Sequence, residues 1–225
     1  MPVAIVTGAS RGLGLALTRA LVERGWRVVA DARGRGELER VWSGTWDVVP
    51  VTGDVADAKH RLALVETAGE EIDLLVNNAS TLGPSPLPPL AEYPLDELRR
   101  VYDVNVAGPL GLVQLALPRL HHNACVVNIT SDAAVEAYER WGGYGSSKAA
   151  LEQITAILAA EHPPLRIYTV DPGDMRTQMH QEAFPGEDIS DRPPPEDSVP
   201  GLLELIEGSL PNGRYRAHDL ASVKA

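Results

Sequence analysis

Val3-Ala4-Ile5-Val6-Thr7-Gly8-Ala9-Ser10-Arg11-Gly12-Leu13-Gly14 opens the chain with a short apolar run that passes at once into a glycine-rich turn. Four consecutive apolar residues suit a strand buried on both faces. From Leu15 to about Arg24, Leu17, Leu21 and several alanines recur at helical spacing, which predicts an amphipathic helix. Strand, glycine-rich turn and helix form the context that holds a dinucleotide pyrophosphate. Gly8 permits the tight turn, Gly12 lets the backbone approach a phosphate, and Gly14 lets helix and strand pack closely. The helix N-terminus attracts the anion through its free N–H groups and its dipole. The spacing is G-x-x-x-G-x-G, not G-x-G-x-x-G, with Ser10, Arg11 and Leu13 among the intervening residues.

Outward from this turn, strands are predicted near 3–7, 27–31, 48–51, 73–77, 124–130, 165–170 and 213–216. Helices are predicted near 13–24, 58–68, 95–118, 144–161 and 198–208. Such alternation predicts an α/β fold: a doubly wound parallel sheet of about seven strands with helices on both faces. Ligands of such sheets bind at the carboxyl ends of the strands. A length of 225 residues suits one domain over 1–225 rather than two. Phe184 to Pro200 is rich in proline and acids and poor in apolar residues.

Tyr144 and Lys148 lie four residues apart on one predicted helix, with Ser131 thirteen positions upstream of the tyrosine. Four residues make about one helical turn, so phenol and ammonium share a face. A free tyrosine has a pKa of about 10 and is idle at neutral pH. A fixed positive charge nearby favours the phenolate and brings the group into acid–base range. A serine hydroxyl beside it could hold a carbonyl or alcohol oxygen against the phenol.

With these motifs in order, the chain resembles the short-chain dehydrogenase/reductase family over nearly its whole length. Thr7 to Gly14 is similar to the family's cofactor turn, and Asp54, followed by Val55, to the acid that touches the adenine. Leu74-Leu75-Val76-Asn77-Asn78-Ala79 resembles the fourth strand and its Asn-Asn-Ala-Gly motif, with Ser80 in place of the glycine. Asn105, Ser131, Tyr144 and Lys148 fit the catalytic tetrad, and Asp171-Pro172-Gly173 with Thr177 the segment beside the nicotinamide. Tyr168 stands where the family often has asparagine. The resemblance implies a Rossmann-type fold, a nicotinamide cofactor, a small-molecule carbonyl or alcohol substrate and a homodimer or homotetramer. Such dimers pair through the Tyr144 helix and the long helix before it. It further implies that Tyr144 is the acid or base, that Lys148 lowers its pKa and binds the nicotinamide ribose, and that Ser131 orients the carbonyl. Asn105 would kink its helix and position water, and the variable substrate loop would fall at about 177–200. A non-catalytic protein that senses the nucleotide on the same fold is the alternative; the complete tetrad favours the enzyme. An extended-branch epimerase or dehydratase would need more sequence after Thr177.

Cofactor choice follows from the end of the second strand. NAD-specific relatives carry an acid there, but counted from Gly25 that position is Ala32, and Asp31 comes one residue early. A shift of one residue turns a strand side chain to the opposite face. Arg33 and Arg11 occupy the positions of basic residues in NADP-preferring relatives, and a guanidinium suits a 2′-phosphate. NADP(H) is therefore expected over NAD(H).

A net charge of −11 with no basic stripe argues against nucleic-acid binding. The single cysteine, Cys125, heads a predicted buried strand and reads as an inert core thiol. No apolar run is long enough to cross a membrane and the first strand starts almost at residue 1, so a cytoplasmic protein is expected. His121-His122 reads as a solvated pair at a helix end, and no metal is expected. Trp42 and Trp46 are expected to pack under the adenine-side helix. Asp132, Glu136, Glu139, Arg140 and Trp141 lie between serine and tyrosine, where relatives line the substrate pocket.

Overall fold

The computed structural model describes residues 1–221. The last four positions of the tail from His218 to Ala225, which carries no interface signal in the sequence, lie outside the described residues. Seven strands form one parallel sheet: β1 (Val3–Val6), β2 (Arg27–Ala32), β3 (Val48–Thr52), β4 (Ile72–Asn77), β5 (Leu120–Ile129), β6 (Arg166–Asp171) and β7 (Gly213–Arg216). Their order across the sheet is β3-β2-β1-β4-β5-β6-β7, and every pairing is parallel. The chain reverses direction of growth between β1 and β4, where ligands of doubly wound sheets bind.

Nine α-helices lie among the described residues: α1 (Gly12–Glu23), α2 (Arg35–Trp42), α3 (Ala58–Ala68), α4 (Leu95–Tyr102), α5 (Gly108–Ala116), α6 (Gly142–Glu161), α7 (Gln178–Ala183), α8 (Val199–Glu207) and α9 (Ala217–Ala221). Strand alternation sorts the core into two layers. Ala4 and Val6 of β1, Val28 and Ala30 of β2, and Leu74 and Val76 of β4 meet Leu17 and Leu21 of α1 and Leu202 and Leu205 of α8. The intervening residues Ile5, Val29 and Leu75 point the other way, onto Leu64 of α3, Leu112 of α5 and Leu158 of α6. Burying each such leucine stabilises the fold by about 1.5–3 kcal/mol. Among the described residues, no helix is long and apolar enough to cross a membrane.

Several sequence expectations shift. The single helix expected over 95–118 is α4 and α5 joined by a π-helical turn, Asp103–Ala107, with a 3-10 turn, Leu117–Arg119, at its end. β5 starts four residues earlier than expected, so His121-His122 sits on a strand rather than a helix end. Trp42 is 5% exposed and its indole N–H donates to the Ala9 carbonyl, but Trp46 is 96% exposed and packs under nothing. Helix α2, which carries the acids and arginines of a solvated face, was not legible as a helix. Cys125 is buried, and burial pushes its thiol up to about 12.

Candidate active site

A cleft of about 650 Å³ opens at the carboxyl ends of the strands. Helix α1 begins beside it, and Arg11 at the helix N-cap position makes no side-chain hydrogen bond to the first-turn N–H groups. Those donors point where an anion is held. Gly14 has no room for a side chain: a Cβ would lie 2.3 Å from the Gly8 carbonyl oxygen and 2.5 Å from Asn78 Nδ2. Asn78 Nδ2 donates to the Thr7 and Gly8 carbonyls (2.8 and 3.2 Å), and the Asn78 and Ala79 N–H groups donate to Thr7 Oγ1. Gly12 sits at φ +54°, and a Cβ there would meet Thr177 Cγ2 at 3.4 Å. The segment Pro172 to Thr177 thus stands across from the turn. An uncapped helix start behind a turn with glycines at Gly8 and Gly12 fits a dinucleotide pyrophosphate.

Gly8, Ser10, Arg11, Gly12, Leu13, Arg33, Asp54, Val55, Asn78, Ala79, Pro172, Gly173 and Thr177 all line this cleft, whereas Gly14 lies behind the turn as packing. Asp31 and Ala32 both line the cleft, so the one-residue offset does not turn Asp31 away from it; the 2% exposed carboxyl is instead already partnered, with His60 Nε2 2.6 Å from Oδ1 and the Gly8 N–H donating to Oδ2 at 3.3 Å. Burial raises the Asp31 pKa, opposed first by His60. The carboxylate braces the turn from below. Glu37 was missed by sequence reasoning. From α2 it accepts a hydrogen bond from Ser10 Oγ (3.2 Å), which brings an acid to the mouth shared by Arg11 and Arg33.

The other half of the cleft is built on β5 and α6. Tyr144 and Lys148 share one face of α6 at 8% and 2% exposure, with Lys148 Nζ 5.5 Å from the phenol ring centroid. Lys148 Nζ donates to the Ile129 carbonyl at 2.8 Å. Ser131 follows β5, and its hydroxyl donates to Asp132 Oδ1 at 2.8 Å and accepts from the Ala133 N–H at 3.2 Å. Asn105 lies in the π-helical turn, 1% exposed. Its Nδ2 donates to the Thr81 carbonyl and to Ser147 Oγ (both 2.9 Å), and its Oδ1 accepts from Ser80 Oγ and the Thr81 N–H. Ser80 therefore gives Asn105 a hydroxyl that a glycine could not. Tyr168 fills the core at 0% exposure, and its hydroxyl donates to the Leu210 carbonyl.

Electrostatics correct one expectation. Burial raises the Tyr144 pKa, Asp171 and Asp132 add to the rise, and the Ser131 hydroxyl facing the phenol opposes it. Burial also pushes Lys148 down to about 7. The expected pull of a fixed ammonium is therefore outweighed, because a face buried enough to bring the pair together also penalises charge on both. The phenol keeps its proton through the neutral range, which suits an acid.

Of the residues between serine and tyrosine, Asp132 and Trp141 line the cleft. Trp141 meets the Tyr144 ring edge-on with centroids 5.8 Å apart and lies 5.9 Å from Phe184. Part of the proline-rich stretch thus joins an aromatic wall. Asp171 is a further cleft residue, held by Arg214 of β7. A visible signal existed in Arg214 and Arg216, which share one face of the last strand.

The short chain dehydrogenase family matches the chain over residues 2–188. The chain belongs to this family. It is 33% identical over 217 residues to a benzil reductase ((S)-benzoin forming) of Saccharomyces cerevisiae, covering 90% of this chain and 80% of the relative. A benzil reductase of Bacillus subtilis is 31% identical, covering 95% and 97%. Among solved structures, a short chain dehydrogenase from Shigella flexneri complexed with NADP is similar at a TM-score of 0.85 with 26% identity, covering 96% of each chain.

Proposed function

We propose that this oxidoreductase is NADP(H)-dependent and interconverts a carbonyl and a secondary alcohol on a small molecule. The observation that carries the reading is the meeting, in one cleft, of Ser131, Tyr144 and Lys148 with the uncapped start of α1. When bound, the nicotinamide supplies a hydride to the carbonyl carbon or takes one from the alcohol. The phenol of Tyr144 donates its proton to the carbonyl oxygen in reduction and accepts one in oxidation. Ser131 hydrogen-bonds the same oxygen after exchanging its bond to Asp132. Lys148, with a pKa near 7, passes a proton at neutral pH and binds the nicotinamide ribose. Asn105 ties the segment at Thr81 to α6 and so fixes one wall.

The preference for NADP(H) rests on Arg11 and Arg33 at the adenine end of the cleft, and on Asp31 being occupied with His60. Glu37 works against a 2′-phosphate, and Asp54 lines the same end of the cleft, so the two guanidiniums act against these acids. In Arg33→Asp, the dissociation constant for NADPH should rise at least tenfold while that for NADH changes little. Full retention of NADPH preference would remove Arg33 from this role. The wall of Trp141, Leu82 and Met179 favours carbonyls carrying an aromatic or other apolar group. Because two relatives are benzil reductases, benzil is the first probe, followed by ketones, aldehydes and quinones. Carbonyl-dependent oxidation of NADPH supports the reading; NADPH binding without turnover of any of them contradicts it and favours the sensing alternative. The exposed face of α6, with Ile157 at 46% exposure, supports a homodimer or homotetramer paired through α5 and α6.

A further inference from the structure

Arg214 does not line the cleft, yet its guanidinium reaches three groups beneath the catalytic half. Nε donates to Glu152 Oε1 (2.9 Å), and Nη2 donates to Asp171 Oδ2 (3.2 Å) and to the Ser131 carbonyl (3.3 Å). Glu152 Oε1 also accepts from the Thr130 hydroxyl (2.7 Å), and Asp171 Oδ1 from the Gly173 N–H (3.0 Å). Arg216 Nε stands 4.0 Å from Asp171 Oδ2. One planar fork therefore ties the carboxyl ends of β5 and β6 to α6, one turn beyond Lys148. The carboxylate side chains are 6% and 17% exposed and that of Arg214 is 26% exposed, so solvent screens these pairs less than a surface ion pair.

Asp171 is 4% exposed and lies in the cleft with Tyr144. Lys148 of its own helix stands over the phenol ring, and Asp171 at the end of β6 and Asp132 after β5 act on it through their charge; Asp174, Arg176, His180 and Glu182 line the same cleft from the segment after β6. An unpaired carboxylate at Asp171 would oppose phenolate formation; one shared with a guanidinium opposes it less. We propose that Arg214 is a positioning residue for hydride transfer, offsetting the Asp171 charge beside the Tyr144 phenol and fixing the main chain of Ser131. It acts through those groups and touches no substrate. The inference rests on the oxidoreductase reading only for its kinetic arm.

The direct test is a ¹⁹F NMR titration of the full chain labelled with 2,3,5,6-tetrafluorotyrosine, whose far more acidic phenol brings the burial-raised Tyr144 midpoint into the range where the chain is folded, with the Tyr144 resonance identified by its loss in Tyr144→Phe. Removing the cation in Arg214→Met should raise the Tyr144 midpoint by about one pH unit. Adding Asp171→Asn should return it toward wild type, and Arg214→Lys should hold it close to wild type. The alkaline limb of alcohol oxidation should move with the midpoint, with kcat falling more than the affinity for NADP. Should Arg214→Met not fold, Arg214→Gln, which loses the charge and keeps hydrogen-bonding capacity, must give the same upward shift. An unmoved midpoint in a folded charge-removing variant, or a shift that persists in the double variant, overturns the proposal. Because the midpoint is read without substrate, a chain that turns over no carbonyl contradicts the oxidoreductase reading and leaves this test standing.

Discussion

Lys148 shows what burying an ammonium at the cleft costs in stability. Its pKa falls from 10.5 in the free residue to about 7 in the fold because burial penalises the ammonium. Between those values the unfolded chain binds the proton and the folded chain does not. Stability therefore rises with pH across that window, and the full penalty applies below about pH 7. In Lys148→Met, melting should occur above wild type near pH 6, and the gain should shrink toward pH 10. Thermal melts at several pH values check this; a gain that grew with pH would contradict the burial argument. The same burial raises the Tyr144 phenol, so the two groups that define the site share one cause.

At the scale of elements, the turn between β1 and α1 is the most constrained piece of backbone in the cleft. In Gly14→Ala the added methyl would press on the Gly8 carbonyl and on Asn78, so the helix must withdraw from the turn. Overpacking of this kind costs about 1–3 kcal/mol. NADPH affinity should fall more than tenfold; denaturant unfolding and fluorescence titration measure the two effects, and unchanged affinity would separate the turn from the cofactor. This element was legible in the sequence because its glycines are required by sterics. Helix α2 was not, since its solvated face carries arginines and glutamates with only Leu38 and Trp42 buried. The break at Asp103–Ala107 was invisible in the residue pattern, where Asn105 looks like any helix polar residue until its four hydrogen bonds are seen; only the family resemblance implied a kink there.

For the whole molecule, the α/β class and the placement of the cleft at the carboxyl ends of the strands were readable from the alternation of strand and helix, whereas the order of the strands was not. What the pattern could not supply is contact between residues distant in sequence. Asp31 meets His60, Ser10 meets Glu37, and Arg214 meets Asp171 across intervals that no local periodicity encodes. Assembly belongs to this scale. Replacing Ile157 by glutamate on the exposed face of α6 should convert a dimer or tetramer to smaller species in sedimentation equilibrium. A wild-type chain that sediments as a monomer would contradict pairing through that face.

The account depends most on a proton carried by one buried phenol next to a bound nicotinamide. Measured side by side, Tyr144→Phe and wild type should bind NADPH with dissociation constants within about threefold, because the hydroxyl is not what holds the nucleotide. Turnover of a carbonyl that wild type reduces should fall by about a thousandfold. A Tyr144→Phe enzyme that reduces it at the wild-type rate would contradict the central claim.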